Sequence, residues 1–203
     1  LRVAPDSTYK IYDALFGLEE GVITPEDSFI AWNGENYPFE AWNADQTLQS
    51  AMTSSVNWYF QSIDEQLAST NIYNYIQQIG YGNENVSGDL STYWLESSLK
   101  ISSVEQVELL MKLQNNSLGF SSENINAVKD SICLSSSNTG KFYGKTGTGR
   151  VGGQDVNGWF IGYIETADNT YFFATNIGAD SDATGGNATE ITMSILSDMN
   201  IWK

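Results

Sequence analysis

Apolar residues at Tyr9, Tyr12, Leu15, Phe16 and Leu18 recur at helical spacing behind Pro5-Asp6. They predict a first helix over 7–19, capped by Asp6 or Ser7 and stopped at Gly21. The stretch from Asp27 to Asn43 is aromatic and irregular, with Phe29, Trp32, Tyr37, Pro38 and Trp42. From Leu48 to Leu67 the period returns through Met52, Val56, Tyr59, Phe60 and Ile63, which predicts one long second helix. A short helix over Ile72–Ile79 should end at the loop Gly80-Tyr81-Gly82-Asn83, and Val104–Leu113 and Glu123–Ile132 read as further amphipathic helices. Beyond Asn138-Thr139-Gly140 the texture turns to strands: Lys141–Lys145, Gly158–Ile164 and Thr170–Thr175, the last two joined by a turn at Asp168-Asn169. A polar loop over 178–187 precedes a closing helix, Thr189–Met199.

This order predicts an α+β fold: an antiparallel sheet flanked by helices, plus a mostly helical lobe. The chain reads as a single domain over 1–203, with the helical lobe at about 22–136 and the sheet part at 1–21 and 137–203. A cleft between the two is the expected ligand site.

Composition narrows the chemistry. Twenty-five acidic residues against nine basic ones give a net charge of −16, which argues against nucleic acid or anionic lipid as a partner. The single cysteine, Cys133, reads as a small buried apolar residue, and no residue set suggests a metal. No apolar run approaches the ~20 residues of a membrane span. The opening Leu1-Arg2-Val3-Ala4-Pro5 reads like the tail of something earlier, so any signal or membrane anchor is expected outside this chain. Oligomeric state has no sequence signal.

The chain contains no histidine, so a nucleophilic serine would need a lysine or carboxylate as its base. Ser7-Thr8-Tyr9-Lys10 sets a hydroxyl and an amine one helical turn apart, and burial of Lys10 would lower its pKa into the range of a neutral base. The same spacing recurs at Ser97-Ser98-Leu99-Lys100, and its plain alternative is a capping serine beside a solvated lysine. Lys145-Thr146-Gly147-Thr148-Gly149 places a cation and two hydroxyls along a strand edge, suited to a carboxylate, with Gly147 admitting close approach of a ligand. Its alternative is a glycine-rich turn.

Together the two sets resemble the penicillin-recognising serine enzymes, which pair Ser-x-x-Lys with Lys-Thr-Gly. Tyr81-Gly82-Asn83, Tyr93-Trp94-Leu95-Glu96, Leu99-Lys100-Ile101-Ser102 and Gly158-Trp159-Phe160-Ile161-Gly162 extend the likeness over essentially the whole chain. They resemble class D β-lactamases and the β-lactam sensor domains of BlaR and MecR type. The resemblance implies a nucleophile Ser7, a base Lys10 and a proton relay Ser55, with Lys145, Thr146 and Thr148 binding the carboxylate of a β-lactam. It implies an oxyanion hole from the N–H groups of Ser7 and Thr148, and Trp94 beside Lys10 and the ligand; a structural tryptophan is the alternative. Arg150 is the only arginine near the later position at which the family holds the carboxylate.

The family's Ser-x-Val element falls on Ser55-Val56-Asn57, counted back from Gln61, so an amide, Asn57, stands where hydrolases carry valine. A register on Ser54-Ser55-Val56 would restore the hydrolase pattern. In the family this lysine is carboxylated by carbon dioxide, and the carbamate serves both acylation and hydrolysis. Asn57 would favour the uncarboxylated Lys10, which implies a sensor acylated once and no other cofactor. Such a domain would face the outside of the cell membrane. A secreted class D β-lactamase is the alternative, with a peptidoglycan transpeptidase behind both. The family also has strands ahead of its nucleophile helix, so part of the sheet is expected from residues outside this chain.

Overall fold

The computed structural model describes residues 1–202; Lys203, the last residue of the predicted sheet part, lies outside them. A 3₁₀ turn over Asp6–Thr8 leads into α1, Lys10–Glu19. Every residue of α1 from Lys10 to Leu18 is buried, so this helix has no solvated face and lies in the centre of the molecule. The predicted capping by Asp6 or Ser7 is replaced by that 3₁₀ turn: neither side chain caps, and Tyr9 precedes the helix. The reason is position, because both side chains are drawn into buried polar contacts of their own.

Four helices pack on one side: α2 (Leu48–Thr53), α3 (Asn57–Gln66), α4 (Ser69–Ile79) and α6 (Ser122–Ser131). The long helix expected over 48–67 is two helices, broken at Ser54-Ser55-Val56 with Ser55 at φ 54°. Two serines and a β-branched valine are weak helix formers, and the carbonyls released by the break are both taken. Trp42 Nε1 donates to the Ser54 carbonyl at 3.0 Å and Lys10 Nζ to that of Ser55 at 2.9 Å. Trp58 Nε1 in turn donates to the Trp42 carbonyl at 2.8 Å, so the irregular aromatic stretch ahead of α2 serves as the splint of this break.

The sheet has strand order β1-β2-β3-β4, all antiparallel: Cys133–Ser137, Gly140–Val151, Gln154–Glu165 and Thr170–Gly178. The strand predicted to end at Lys145 runs on to Val151, because Gly152 and Gly153 (φ 58° and 83°) form a two-residue turn that carries β2 straight into β3, with one register shift between Gly149 and Arg150. Cys133 is half-buried at the start of β1 rather than a core residue, since β1 is an edge strand. The closing helix α7 starts earlier than predicted and spans Gly185–Asp198, with the Thr184 side chain capping the N–H of Asn187. It packs on β3 and β4, as does α5 (Ser103–Gln114), whose Ser102–Glu105 capping box starts it.

Two consequences position the site. β1 pairs with β2 only as far as Tyr143, so β2 from Lys145 onward lies free of β1 and faces the 3₁₀ turn that carries Ser7. On the other side Ile63 of α3 packs into the notch at Gly17, where a Cβ would come within 2.7 Å of Ile63 Cγ2. Ile63 is fully buried, and Ile63→Ala is expected to cost about 2–5 kcal/mol in urea unfolding. A loss below about 1 kcal/mol would show that the α1–α3 contact does not hold α1 in place.

Candidate active site

Ser7, Lys10, Ser55, Asn57 and Lys145, scattered over more than a hundred residues of sequence, converge on one point. Lys10 Nζ lies 2.7 Å from Ser7 Oγ, 3.2 Å from Ser55 Oγ, 2.9 Å from the Ser55 carbonyl and 2.5 Å from Asn57 Oδ1. Its ammonium is packed over the ring faces of Trp94 and Phe60, 5.1 and 5.6 Å from their centroids. Lys145 Nζ donates to Ser55 Oγ at 2.9 Å and to the Thr146 carbonyl at 3.0 Å, so Ser55 sits between the two lysines. The left-handed backbone at Ser55 turns its hydroxyl inward, and Asn57, two residues on, opens α3 and points the same way. Ser54 gives its carbonyl to Trp42 and lines the cavity beside Ser55.

Electrostatics divides the two lysines. Burial pushes the Lys10 pKa well below its ordinary value, and the Lys145 charge pushes it further. Burial lowers the Lys145 pKa to about 7. Both shifts favour the neutral form, and at Lys10 the lone pair of the neutral amine would face a serine hydroxyl.

The site opens into a cavity of about 670 Å³. Ser7, Ser55 and Asn57 line it together with Thr146, Gly147 and Thr148 of β2. Phe39 and Trp42 from the aromatic stretch, with Leu95, form an apolar rim. Thr148 Oγ1 accepts the N–H of Gly185, which ties the β2 wall to the start of α7.

Several predicted positions differ in detail. Trp94 is fully buried beneath Lys10 and does not line the cavity, so it touches the lysine and not a ligand. Lys145 lies behind the wall, reaching the cavity through Ser55. Gly147 makes room for the nucleophile's own turn: a Cβ there would sit 3.0 Å from the Pro5 carbonyl oxygen and 3.3 Å from the Ser7 nitrogen. Arg150 lines the cavity but is paired with Asp155 at 2.7 Å. The second Ser-x-x-Lys, Ser97–Lys100, is structural, with Ser98 Oγ donating to the Asn85 carbonyl and Asn83 N–H to that of Lys100.

Three acids near the site were not anticipated. Asp6 precedes the nucleophile with φ 46° and is held by Asn157, whose amide nitrogen lies 2.8 Å from both Asp6 Oδ2 and Glu96 Oε1. Burial and the Glu96 charge push its pKa well up. Asp13 and Asp64 lie behind Lys10, both fully buried. Helical spacing carried a signal for these two: Asp13 follows Lys10 by three residues on α1, and Asp64 follows Asn57 by seven on α3.

The penicillin binding protein transpeptidase domain family matches residues 2–197 of the chain. Regulatory protein BlaR1 of Bacillus licheniformis is 49% identical over 201 residues, 99% of this chain and 33% of that protein. The solved C-terminal domain of the Bacillus licheniformis BlaR penicillin-receptor superposes with a TM-score of 0.95 at 48% identity, covering 100% of this chain and 82% of that one. Beta-lactamase OXA-10 of Pseudomonas aeruginosa is 36% identical over 181 residues, 88% of this chain and 68% of that protein. The chain thus spans about a third of the length of the regulatory relatives it matches.

Lys145 makes the site's electrostatics measurable. Its native pKa of about 7 lies below its unfolded value of 10.5. Between the two the unfolded chain holds a proton that the native chain has released, so this group makes stability rise with pH across that window and adds no slope below it. In Lys145→Met the slope of unfolding free energy against pH between 8 and 10 should drop by up to about 1.4 kcal/mol per pH unit, measured by urea melts. An unchanged slope would show that Lys145 is not desolvated.

Proposed function

The chain belongs to the penicillin-binding protein transpeptidase family, and on that premise we propose that it is the covalent β-lactam-binding sensor domain of a larger receptor. The carrying observation is the 2.5 Å contact of Asn57 Oδ1 with Lys10 Nζ. The printed names of the relatives, a regulatory protein and a penicillin-receptor, support the reading.

In this reading Lys10 works as an amine. It donates to Asn57 Oδ1 and to the Ser55 carbonyl; once neutral, its lone pair takes the hydroxyl proton of Ser7, whose Oγ lies 2.7 Å from Nζ. Ser7 Oγ attacks the lactam carbonyl carbon and the negative charge on that oxygen is met by the N–H groups of Ser7 and Thr148. As the tetrahedral centre collapses the lactam C–N bond breaks, and the proton passes from Lys10 through Ser55 Oγ to the leaving nitrogen. The products are a Ser7 ester and an opened ring, with no proton gained or lost. The Lys145 cation, with Thr146 and Thr148, attracts the ligand carboxylate.

The fixed acceptors around Lys10 suit an amine better than a carbamate. The Ser55 carbonyl and Asn57 Oδ1 can only accept, so an amine N–H donates to both, whereas a carbamate would bring two further acceptor oxygens against them. Without that group no base positions a water on the ester, and the acyl adduct persists. A persistent adduct is a signal; segments outside this chain would carry it across a membrane, with this domain on the outer face. Among the described residues no helix is long and apolar enough to cross a membrane.

The similarity to Beta-lactamase OXA-10 over 88% of the chain favours hydrolysis as the second reading. Incubation with a chromogenic cephalosporin, followed by absorbance and intact mass, separates the two. One equivalent of adduct on Ser7 with little further colour is expected, and none in Ser7→Ala; steady multiple turnover would overturn the sensor reading. Asn57→Val is expected to speed loss of the adduct by roughly 10²-fold when bicarbonate is supplied, the scale of one positioned base. Equal lifetimes in both proteins would show that Asn57 does not set it.

A further inference from the structure

Two acids hold left-handed backbone beside the nucleophile turn: Asp6, the residue before Ser7, at φ 46°, and Glu96 at φ 41°. They hold each other. The Asp6 N–H donates to the Trp94 carbonyl at 3.0 Å, and the Glu96 N–H donates to Asp6 Oδ1 at 3.3 Å. Their other oxygens meet at one nitrogen, because Asn157 Nδ2 of β3 lies 2.8 Å from both Asp6 Oδ2 and Glu96 Oε1. Those two oxygens are therefore no more than about 6 Å apart, within the range at which one charge alters the protonation of another. Gly149 of β2 closes over them, since a Cβ there would strike both Glu96 Oε1 and Asp6 Oδ2. Among the described residues neither acid has an ion pair, and Asp6 is buried.

Two carboxylates sharing one amide, without a cation, cannot both stay charged where one of them is shut off from water. A proton between them makes Asp6 a donor and leaves one charge on Glu96, which is half-buried and turned in part to solvent. Burial and the Glu96 charge push Asp6 well up, in keeping with this geometry. The other ionisable groups that feel Asp6 are Lys10 and the buried Tyr81 hydroxyl. β2 meets the turn through Gly147 and Gly149, β3 through Asn157 and Trp159, and α5 through Gln106, none of which titrates. We propose that Asp6 is a positioning residue for Ser7: it shares one proton with Glu96 in the reactive site, and loss of that proton at higher pH slows acylation. This inference rests on the reading of Ser7 as the serine that β-lactams acylate.

The proton leaves to solvent past Glu96 and takes the pair from one negative charge to two. Repulsion then falls on a turn with little slack. Asp6 is covalently joined to Ser7, and Gly147 leaves the turn no spare room, a Cβ there lying 3.3 Å from the Ser7 nitrogen. Parting of the two carboxyls therefore shifts Ser7 Oγ from its 2.7 Å contact with Lys10 Nζ. The second effect is electrostatic. A charge on Asp6 favours the ammonium form of Lys10, and an ammonium cannot take the Ser7 proton. Both effects slow acylation. An amide in place of either acid supplies the donor at every pH: Asp6→Asn donates to the Glu96 carboxylate, and Glu96→Gln donates to that of Asp6.

The test follows adduct formation on the whole domain with a fluorescent penicillin, from about pH 5 to 9, in wild type and Asp6→Asn. The ratio of variant to wild-type acylation rate is expected to climb by at least about tenfold across that range, because the wild type alone loses the shared proton. A constant ratio overturns the inference, since a merely structural role of Asp6 scales the rate equally at every pH. Where Asp6→Asn does not fold, Glu96→Gln is measured in its place, with the same expectation and the same overturning result. Infrared difference between wild type and the variant at the acid end reads the proton directly: loss of one protonated-carboxyl C=O stretch is expected, and its absence overturns the sharing. Intact mass of the wild type keeps the two readings apart. An adduct on Ser7 with a constant ratio removes the inference alone, whereas no adduct at any pH removes the reading of Ser7 itself.

Discussion

A lysine buried without a counter-ion at its amine is the constraint on which the rest of this structure depends. Lys10 is surrounded by neutral acceptors in front and aromatic rings below, and a second lysine stands across Ser55. Desolvation and like charge together drive its proton off, which replaces the imidazole that the chain lacks. A serine at one helical turn then has a base without any shift in the fold. The cost of hiding such a group is met by close hydrogen bonding, and both serines that supply acceptors sit where the backbone is irregular. Ser7 lies in a 3₁₀ turn and Ser55 in a left-handed break between two helices.

Those irregularities are maintained from outside the site. The helix break at Ser54-Ser55-Val56 would close if its carbonyls had no partners, and Trp42 and Lys10 provide them. Asp6, strained at φ 46°, is fixed by Asn157 of β3 and by its own N–H on the Trp94 carbonyl. The apolar rim of Phe39, Trp42 and Leu95 thus belongs to the same construction as the nucleophile.

Much of this was legible in the chain. The helical periods at 9–18, 72–79 and 104–113 correspond to α1, α4 and α5, because apolar residues repeating on one face have no other way to be buried. The strands around Trp159 and Phe172 were legible for the same reason. The unbroken period from Leu48 to Leu67 misled, since periodicity records which side chains face inward and is blind to a single residue turning its backbone left-handed. Val56 and Tyr59 keep their inward faces on both sides of the break. Strand β2 beyond Lys145 carries small and polar residues because it borders a cavity, so it gave no apolar alternation to read.

The sequence by itself determined the chemistry available: no histidine, a serine and lysine at one helical turn, a Lys-Thr-Gly strand and an asparagine two residues beyond a second serine. Residue type and short spacing decide such things, because a helical turn fixes which neighbours meet. Only the tertiary structure decided that Ser55 and not Ser54 stands between the lysines, that Trp94 lies against Lys10, and that its N–H is taken by the buried Asp64. These depend on how α1, α3 and the segment after Asp89 approach one another. That approach sets distances and desolvation together, and desolvation is what changes a lysine from a surface cation into a base.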